Sequence, residues 1–317
     1  MAFRGLSLRI RVFILAVSLA VSAVGCGGSE TIDDKGDGSK ISVVVSVFPL
    51  ALAAKAVGGN LVEVLDLTPP GVEPHDLELT TDQVDALADA DLALMMGNDF
   101  QPDLEEVAKK REGPTKAMME IAAVSGASAD AGFDKSLKGD PHVWLDPSRM
   151  MAIANEIKDA LGEIDPGNKA EYVSNYESYS QELEALDARF SDALKNCKRR
   201  TIVVAHEAFG WLATRYGLTQ LSLAGRSPEQ EPDPRQIAEL ANRMRDEGIT
   251  TVFTEPLAPK DVAKTLANEA NARVAILDPL EVLYPDHKEG NRKEATYRSV
   301  MEANLEALVV ALDCDQT

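Results

Sequence analysis

The chain has 317 residues, and 45% of them are hydrophobic, which is enough to bury a core in each of two domains. Only 5% are aromatic and 26% are charged, as in an ordinary soluble globular protein. The formal net charge is −20. Because binding to nucleic acid requires clustered Lys and Arg, this charge argues against a nucleic-acid partner and is compatible with a cation-handling or simply a very soluble protein.

The first 25 residues have the pattern of an export signal. Arginines precede a short apolar run, residues 12–24, that is too short for a comfortable membrane span. Cys26 then follows a small residue, which resembles the lipobox of bacterial lipoproteins, where this Cys carries the lipid. We expect residues 1–25 to be a signal peptide, Cys26 to be lipidated and residues 26–40, rich in Gly, Ser, Asp and Lys, to be a flexible tether. An ordinary signal peptide with an incidental Cys is the alternative.

Short apolar runs then alternate with helical patterns, which predicts a parallel sheet covered by helices on both faces. The predicted order is strand 41–47, helix 50–57, strand 61–67, helix 82–88, strand 91–96 and helix 104–110. Thr80 or Thr81 is the predicted cap of the helix 82–88.

Residues 168–195 contain neither Pro nor Gly and carry one apolar stripe, so they predict a single helix about 40 Å long. The alternating pattern then returns as strand 201–205, helices 207–216 and 234–247, strand 250–254, helix 259–270, strand 274–277 and helix 295–312. We therefore predict an α/β fold of two lobes, each a mainly parallel sheet flanked by helices, joined by one long rigid helix. The predicted domain limits are 41–165, 166–197 and 198–317.

Only four histidines occur in the chain, and three of them lie where a metal site is expected. His75 follows the second strand by a Pro-rich loop, His142 lies in an Asp-Pro-His motif, and His206 ends an apolar strand. Because ligands of parallel sheets bind at the carboxyl ends of strands, we predict that these imidazoles share one metal between the lobes. A hydrogen-bonded structural role is the alternative for each single His, and His287 is expected to be solvated in a polar loop.

Carboxylates complete the predicted site. Asp278 ends another apolar strand and is the expected fourth ligand. Glu255 competes with Asp278 for the position of fourth ligand. If it is not a ligand, it is expected to orient a ligand ring or to cap a helix. Asp76 and Glu207 are each adjacent to a ligand His and are expected either to orient the ring or to be surface acids.

Two further cysteines, Cys197 and Cys314, remain in the mature chain. In an exported protein two leftover thiols suggest a disulfide, which here would staple the second lobe. Two free thiols are the alternative.

Four motifs resemble those of the metal-binding solute-binding proteins of bacterial ABC transporters, a family of zinc and manganese receptors of which some were first described as adhesins. The motifs are EPHDLELT at 73–80, DPHVWLDP at 140–147, AHEAFGWL at 205–212 and EQEPDP at 229–234. The resemblance runs from about residue 41 to 313. It implies two α/β lobes with the metal in the cleft, supports Asp278 as a ligand, and implies delivery of the ion to an ABC transporter permease.

The resemblance also bears on the metal. Members with Glu at the third ligand position resemble manganese receptors, whereas His206 gives three imidazoles and favours Zn²⁺. The region 123–139 has no His, unlike the His-rich loop of many zinc receptors, so Mn²⁺ stays the alternative.

A binding protein and an enzyme remain to be distinguished. Catalytic zinc keeps an open position for water, so a set of four protein ligands favours capture without chemistry. The alternatives are a secreted zinc hydrolase, with Asp278 or Glu255 as its base, and a surface adhesin. We expect a lipid-anchored monomer that closes little when it binds metal, because one stiff helix joins the lobes.

Overall fold

The computed structural model describes residues 40–118, 137–225, 233–256, 260–282 and 295–315, with the exception of the side chain of Asp76. The predicted signal peptide, Cys26, the tether up to residue 39 and His287 lie outside the described residues. In the described part of the chain, no helix is both long and apolar enough to cross a membrane.

The first lobe is built on a parallel sheet with the strand order β2-β1-β3-β4. Its strands are β1 (Ile41–Val45), β2 (Val62–Asp66), β3 (Leu92–Met95) and β4 (Thr115–Ala117), and its helices are α1 (Phe48–Gly58), α2 (Thr81–Asp89) and α3 (Pro102–Ala108). The central strands β1 and β3 are almost wholly buried, as expected for a parallel sheet with both faces covered. Thr80 and Gln83 form a capping box that starts α2.

Two helices follow in succession, α4 (Pro147–Ile164) and α5 (Lys169–Leu194). Helix α5 has 26 residues and confirms the predicted long helix. Its buried face carries Tyr172, Leu183, Leu186 and Phe190 of the predicted stripe, while Tyr176 is only partly buried. Helix α4, which was not predicted, packs against α1 and α5.

The second lobe repeats the architecture with the parallel order β6-β5-β7-β8. Its strands are β5 (Thr201–Val204), β6 (Thr219–Ser222), β7 (Thr251–Thr254) and β8 (Arg273–Ile276), and its helices are α6 (Gly210–Arg215), α7 (Pro234–Glu247), α8 (Lys260–Ala270) and α9 (Tyr297–Leu312). The fold of two parallel α/β lobes is thus the predicted one. Strands β4 and β6 were not predicted, because they are short and half exposed and so form no apolar run.

One apolar core runs through both lobes, which belong to the same compact unit of the chain. It joins the sheet of the first lobe, represented by Val45 and Leu94, to that of the second, represented by Ile202 and Phe253, through α1, α4, α5 and α9. Close-packed interiors deform little, so this core gives a second reason to expect only a small change of shape on metal binding.

A disulfide joins Cys197 to Cys314 and ties the segment after α5 to the end of α9 across 117 residues of chain. Replacing both residues by Ser is expected to lower the free energy of unfolding by about 2–4 kcal/mol, since the unfolded chain regains the freedom of a long loop. Denaturant unfolding measures the change. Reductant should destabilise the wild-type protein and leave the double variant unaffected. Identical unfolding of the wild-type protein and the variant in the absence of reductant would contradict the prediction.

Candidate metal centre

Four potential metal ligands come together in the described part of the chain: His75, His142, His206 and Glu281. His75 lies in the single 3-10 turn Pro74–Asp76 that follows β2, and His206 lies two residues after β5. Glu281 lies in the loop after β8, and His142 immediately precedes the turn that leads into α4. Three of the four ligands therefore lie at the sheet edge where ligands of parallel α/β folds bind.

The spacing of these groups suits one small cation. One ligand atom from each residue lies within 4.8 Å of those of the other three. Oε1 of Glu281 is 2.7 Å from Nε2 of His142, 3.5 Å from Nε2 of His206 and 3.7 Å from Nε2 of His75. In a tetrahedral site with zinc–ligand bonds of about 2.0–2.1 Å, ligand atoms lie about 3.3 Å apart, so small side-chain movements complete the geometry.

The ligand atoms are buried and lack hydrogen bonds. His142 and His206 are 0% exposed and Glu281 is 2% exposed. Among the described residues, no hydrogen bond satisfies the Nε2 atom of any of the three histidines or Oε1 of Glu281. The 2.7 Å contact between Glu281 and His142 is an ion pair only when the ring is protonated. Each unsatisfied buried polar atom costs about 1–3 kcal/mol. A single cation bound to all four atoms removes these costs together.

Two carboxylates orient the buried rings of His142 and His206 by contacting Nδ1, the ring nitrogen that does not face the other ligands. Oδ1 of Asp140 lies 2.7 Å from Nδ1 of His142, and Oε1 of Glu255, directly after β7, lies 2.5 Å from Nδ1 of His206. Each carboxylate accepts the Nδ1 proton, which leaves the lone pair of Nε2 facing the other ligands and makes the imidazole more basic. Asp140 also accepts the backbone N–H of His142 at 3.0 Å.

The carboxylates set the protonation of the site. Burial lowers the pKa of His142, but Asp140 and Glu281 outweigh it, so this pKa is raised; Glu255 and Glu281 likewise raise the pKa of His206 well above its ordinary value, against its burial. Burial raises the pKa of Glu281, but the imidazoles, His206 foremost, bring it well below its ordinary range. Since a metal binds unprotonated Nε2, capture displaces protons and weakens as the pH falls.

Asp278, the expected fourth ligand, is not part of this cluster of described residues, and Glu281 takes its place. Oδ1 of Asp278 accepts the backbone N–H of Leu280 at 2.8 Å, and the side chain of Asn304 bonds to both the N–H and the carbonyl of Asp278. Leu280 has a φ of 61°, in the left-handed region. This turn carries the chain past Asp278 and brings Glu281, rather than Asp278, to the histidines.

The other predicted residues have different surroundings. Glu207 accepts a hydrogen bond from the Ser222 hydroxyl at 3.3 Å, and the side chain of Asp76 lies outside the described part of the chain.

Two tryptophans bond across the lobes near His142. The indole N–H of Trp144 donates to the carbonyl of Pro279 at 2.7 Å, and that of Trp211 donates to the carbonyl of Asp140 at 3.0 Å. These bonds tie the His142 loop to the second lobe.

Sequence reasoning missed Glu281 and Asp140. Asp140 could have been found, because an acid two residues before a ligand His can reach both its backbone N–H and its ring. For Glu281 the loop was identified, but no local signal selects it over Asp278.

We predict that Glu255→Gln weakens zinc binding about 10-fold, because the amide still accepts the Nδ1 proton of His206 but no longer carries the charge that makes the ring basic. Competition with a chromophoric chelator measures this. Glu207→Gln is the matched control, since Glu207 is adjacent to His206 in sequence but bonds to Ser222. Equal losses in both variants would contradict the orienting role of Glu255.

Known proteins are similar to this chain in sequence. Residues 43–311 match the family model ZnuA, described as zinc-uptake complex component A, periplasmic. Zinc-binding protein AdcA of Streptococcus pyogenes serotype M1 is 32% identical over a 293-residue alignment that covers 86% of this chain and 56% of AdcA, so the chain spans about half the length of that relative. High-affinity zinc uptake system protein ZnuA of Bacillus subtilis is 32% identical over 314 residues, 93% of this chain and 95% of that protein.

A solved structure shares the fold. The laminin binding protein Lmb of Streptococcus agalactiae, described as bifunctional with adhesin and metal transporting activity, aligns with a TM-score of 0.75 and 29% identity over 86% of this chain and 100% of Lmb. The family model, however, extends across nearly all of both lobes, including all four ligands. This chain belongs to the ZnuA family of periplasmic zinc-uptake components.

Proposed function

We propose that this protein is an extracytoplasmic receptor that captures Zn²⁺ between its lobes and delivers it to the permease of an ABC transporter. His75, His142, His206 and Glu281 are the proposed ligands. The observation that carries the proposal is the convergence of four buried ligand atoms that no hydrogen bond satisfies among the described residues. The names of AdcA and of the Bacillus subtilis ZnuA, which refer to zinc binding and zinc uptake, support zinc as the cargo.

The ligand count supports capture rather than catalysis. Three imidazoles and one carboxylate fill a tetrahedral zinc, whereas a hydrolytic zinc keeps one position for an activated water. Of the two candidate bases of a hydrolase, Glu255 is engaged with the ring of His206, and Oδ1 of Asp278 accepts the backbone N–H of Leu280. The arrangement therefore supports a carrier.

Three nitrogen ligands also support zinc over manganese, because imidazole suits Zn²⁺ while Mn²⁺ prefers oxygen ligands. Mn²⁺ remains the alternative cargo. Titration of the metal-free protein with each ion in competition with a chelator tests the choice: one Zn²⁺ should bind per chain, more tightly than Mn²⁺. Tighter Mn²⁺ binding would overturn the assignment, and X-ray absorption showing a bound water in place of Glu281 would revive the hydrolase.

We further propose that the protein is exported and anchored outside the cell membrane through a lipid on Cys26. In this proposal residues 1–25 are removed, residues 26–40 form the tether, and a monomer of domains 41–165, 166–197 and 198–317 presents the metal to the permease. Mass spectrometry of the mature protein should find a lipidated Cys26 at its N-terminus; an unmodified N-terminus further along the chain would contradict the anchor.

A deletion strain tests the physiological role. Growth should fail under zinc limitation and be restored by the wild-type gene or by added zinc. Adhesion, the second activity in the description of Lmb, would instead leave growth unchanged.

A further inference from the structure

The turn between β3 and α3, residues 97–101, packs against the loop that carries His75. The ring of Phe100 meets the ring of His75 edge-on, with centroids 4.6 Å apart. Gly97, Asn98 and Asp99 have φ values of 77°, 61° and 60°, in the left-handed region that Gly adopts freely and that Asn and Asp tolerate better than other residues. Three successive left-handed residues make the chain turn tightly, and Phe100 and Gln101 follow directly after them.

The last residue of the turn, Gln101, contacts the loop that carries His75. Its side chain is buried, and its amide Nε2 donates to the carbonyl of Pro74 at 3.0 Å and to the carbonyl of Ser46 at 3.0 Å. The Ser46 carbonyl also accepts a second hydrogen bond, from the hydroxyl of Thr68 at 2.7 Å. Gln101 therefore ties the residue before His75 to the residue after β1.

The chemistry of these contacts fixes the orientation of the amide. Nitrogen faces two carbonyl oxygens, and the reversed amide of Gln101 would place its oxygen against both of them. A carboxylate at this position would have no donor at all. The site thus calls for a side chain of the length of Gln with two N–H donors.

His75 is held differently from the other two ligand histidines. Carboxylates accept hydrogen bonds from Nδ1 of His142 and of His206, whereas the hydrogen bond described at His75 is made by its backbone N–H. The carboxylate of Glu73 accepts the backbone N–H of His75 at 3.3 Å, a long bond, and Gln101 fixes the carbonyl of the intervening Pro74. The placement of the His75 ring then depends on how firmly this short loop is anchored.

We infer that Gln101 is a positioning residue for His75: by fixing the Pro74 carbonyl it sets where Nε2 of His75 meets the other three ligand atoms. The inference rests on the proposed metal site. Gln101 does not touch the metal, and its effect on binding passes entirely through His75. Metal sites need ligands held to within about 0.5 Å, so loosening this loop costs affinity.

Two variants test the inference on the mature protein. Gln101→Met keeps the length and removes both donors, and Gln101→Glu keeps the shape but sets oxygen against two carbonyls. Zn²⁺ affinity, measured by chelator competition, should fall about 10-fold in the first and further in the second. Circular dichroism of the metal-free proteins checks that both variants are folded, and Gln101→Glu serves alone if Gln101→Met is not.

A double-mutant cycle separates positioning from general support of the lobe. In a His75→Ala background the Gln101 substitution should change Zn²⁺ affinity less than about 2-fold, because the group that it positions is gone. In a Glu255→Gln background, which disturbs His206 on the other lobe, the same substitution should keep its full cost of about 10-fold.

The outcomes are distinct. An undiminished loss in the His75→Ala background, or unchanged affinity in Gln101→Met, overturns the inference while the wild-type protein still binds zinc. Failure of the wild-type protein to bind zinc overturns the proposed function, and the inference with it.

Discussion

Glu281→Gln is expected to weaken zinc binding by about 100- to 1,000-fold, whereas Asp278→Asn changes it by no more than a few-fold. Removing one partner from a buried cluster of charges costs about 3–5 kcal/mol, and each 1.4 kcal/mol is tenfold in affinity. The amide of Gln keeps a weak oxygen ligand, so the lower part of that range applies. The charge lost is the one that faces all three imidazoles, at 2.7, 3.5 and 3.7 Å.

Asp278→Asn is a matched control because both carboxylates lie in the same loop and are 2% exposed. The amide oxygen of Asn still accepts the backbone N–H of Leu280, which is the bond that Oδ1 of Asp278 makes. Chelator competition gives both affinities, and circular dichroism of the metal-free variants shows whether the loop change disturbs the fold. A larger loss in Asp278→Asn than in Glu281→Gln would restore Asp278 as the ligand.

The choice between these carboxylates shows where sequence reasoning ends. The strand β8 and the loop after it were predicted from an apolar run, and that was sufficient to place a ligand there. Which acid faces the three histidines depends on the left-handed backbone of Leu280 and on Asn304, which lies 26 residues from Asp278 and bonds to its backbone. Neither feature leaves a local pattern in the sequence.

Helices with complete local signals were predicted well. Helix α7 has the predicted limits, because Asp233 and Gln236 form a capping box, Pro234 starts the helix, and Gly248 ends it in the left-handed conformation. Helix α4 has comparable start signals, Asp146 as its cap and Pro147 in the first turn. The sequence prediction nevertheless assigned no helix there, because Asp146 and Pro147 were read only as part of the motif DPHVWLDP.

The relation between the His142 loop and the lobes could not be predicted either. By sequence His142 belongs to the first lobe, and the structure shows that its neighbours are bonded to the second. Trp144 and Trp211 make two of these bonds, and the hydroxyl of Tyr297 donates to the carbonyl of Trp144 at 2.7 Å. These contacts join residues 71 to 153 positions apart, and only the packed fold brings them together.

His206 is expected to determine the choice of metal, and His206→Ala should lower zinc affinity about 1,000-fold. The ring is fully buried, so its loss leaves a cavity among Glu255, Glu281 and His142 as well as an empty coordination position. The carboxylates are then left with less compensating positive charge, which adds to the cost. Chelator competition measures the affinity, and His287→Ala is the control, because His287 is the one histidine outside the proposed ligand set.

The variant His206→Glu tests whether the type of donor atom at position 206 determines the choice of metal. It gives two imidazoles and two carboxylates, a ligand set richer in the hard oxygen that Mn²⁺ prefers. Glu255 would then lie beside a like charge, so Glu255→Gln is introduced in the same protein. Zinc affinity should fall while manganese affinity falls less or rises, so that the ratio of the two dissociation constants moves at least about 10-fold toward Mn²⁺. An unchanged ratio would show that the shape of the cavity, rather than the donor at position 206, selects the metal.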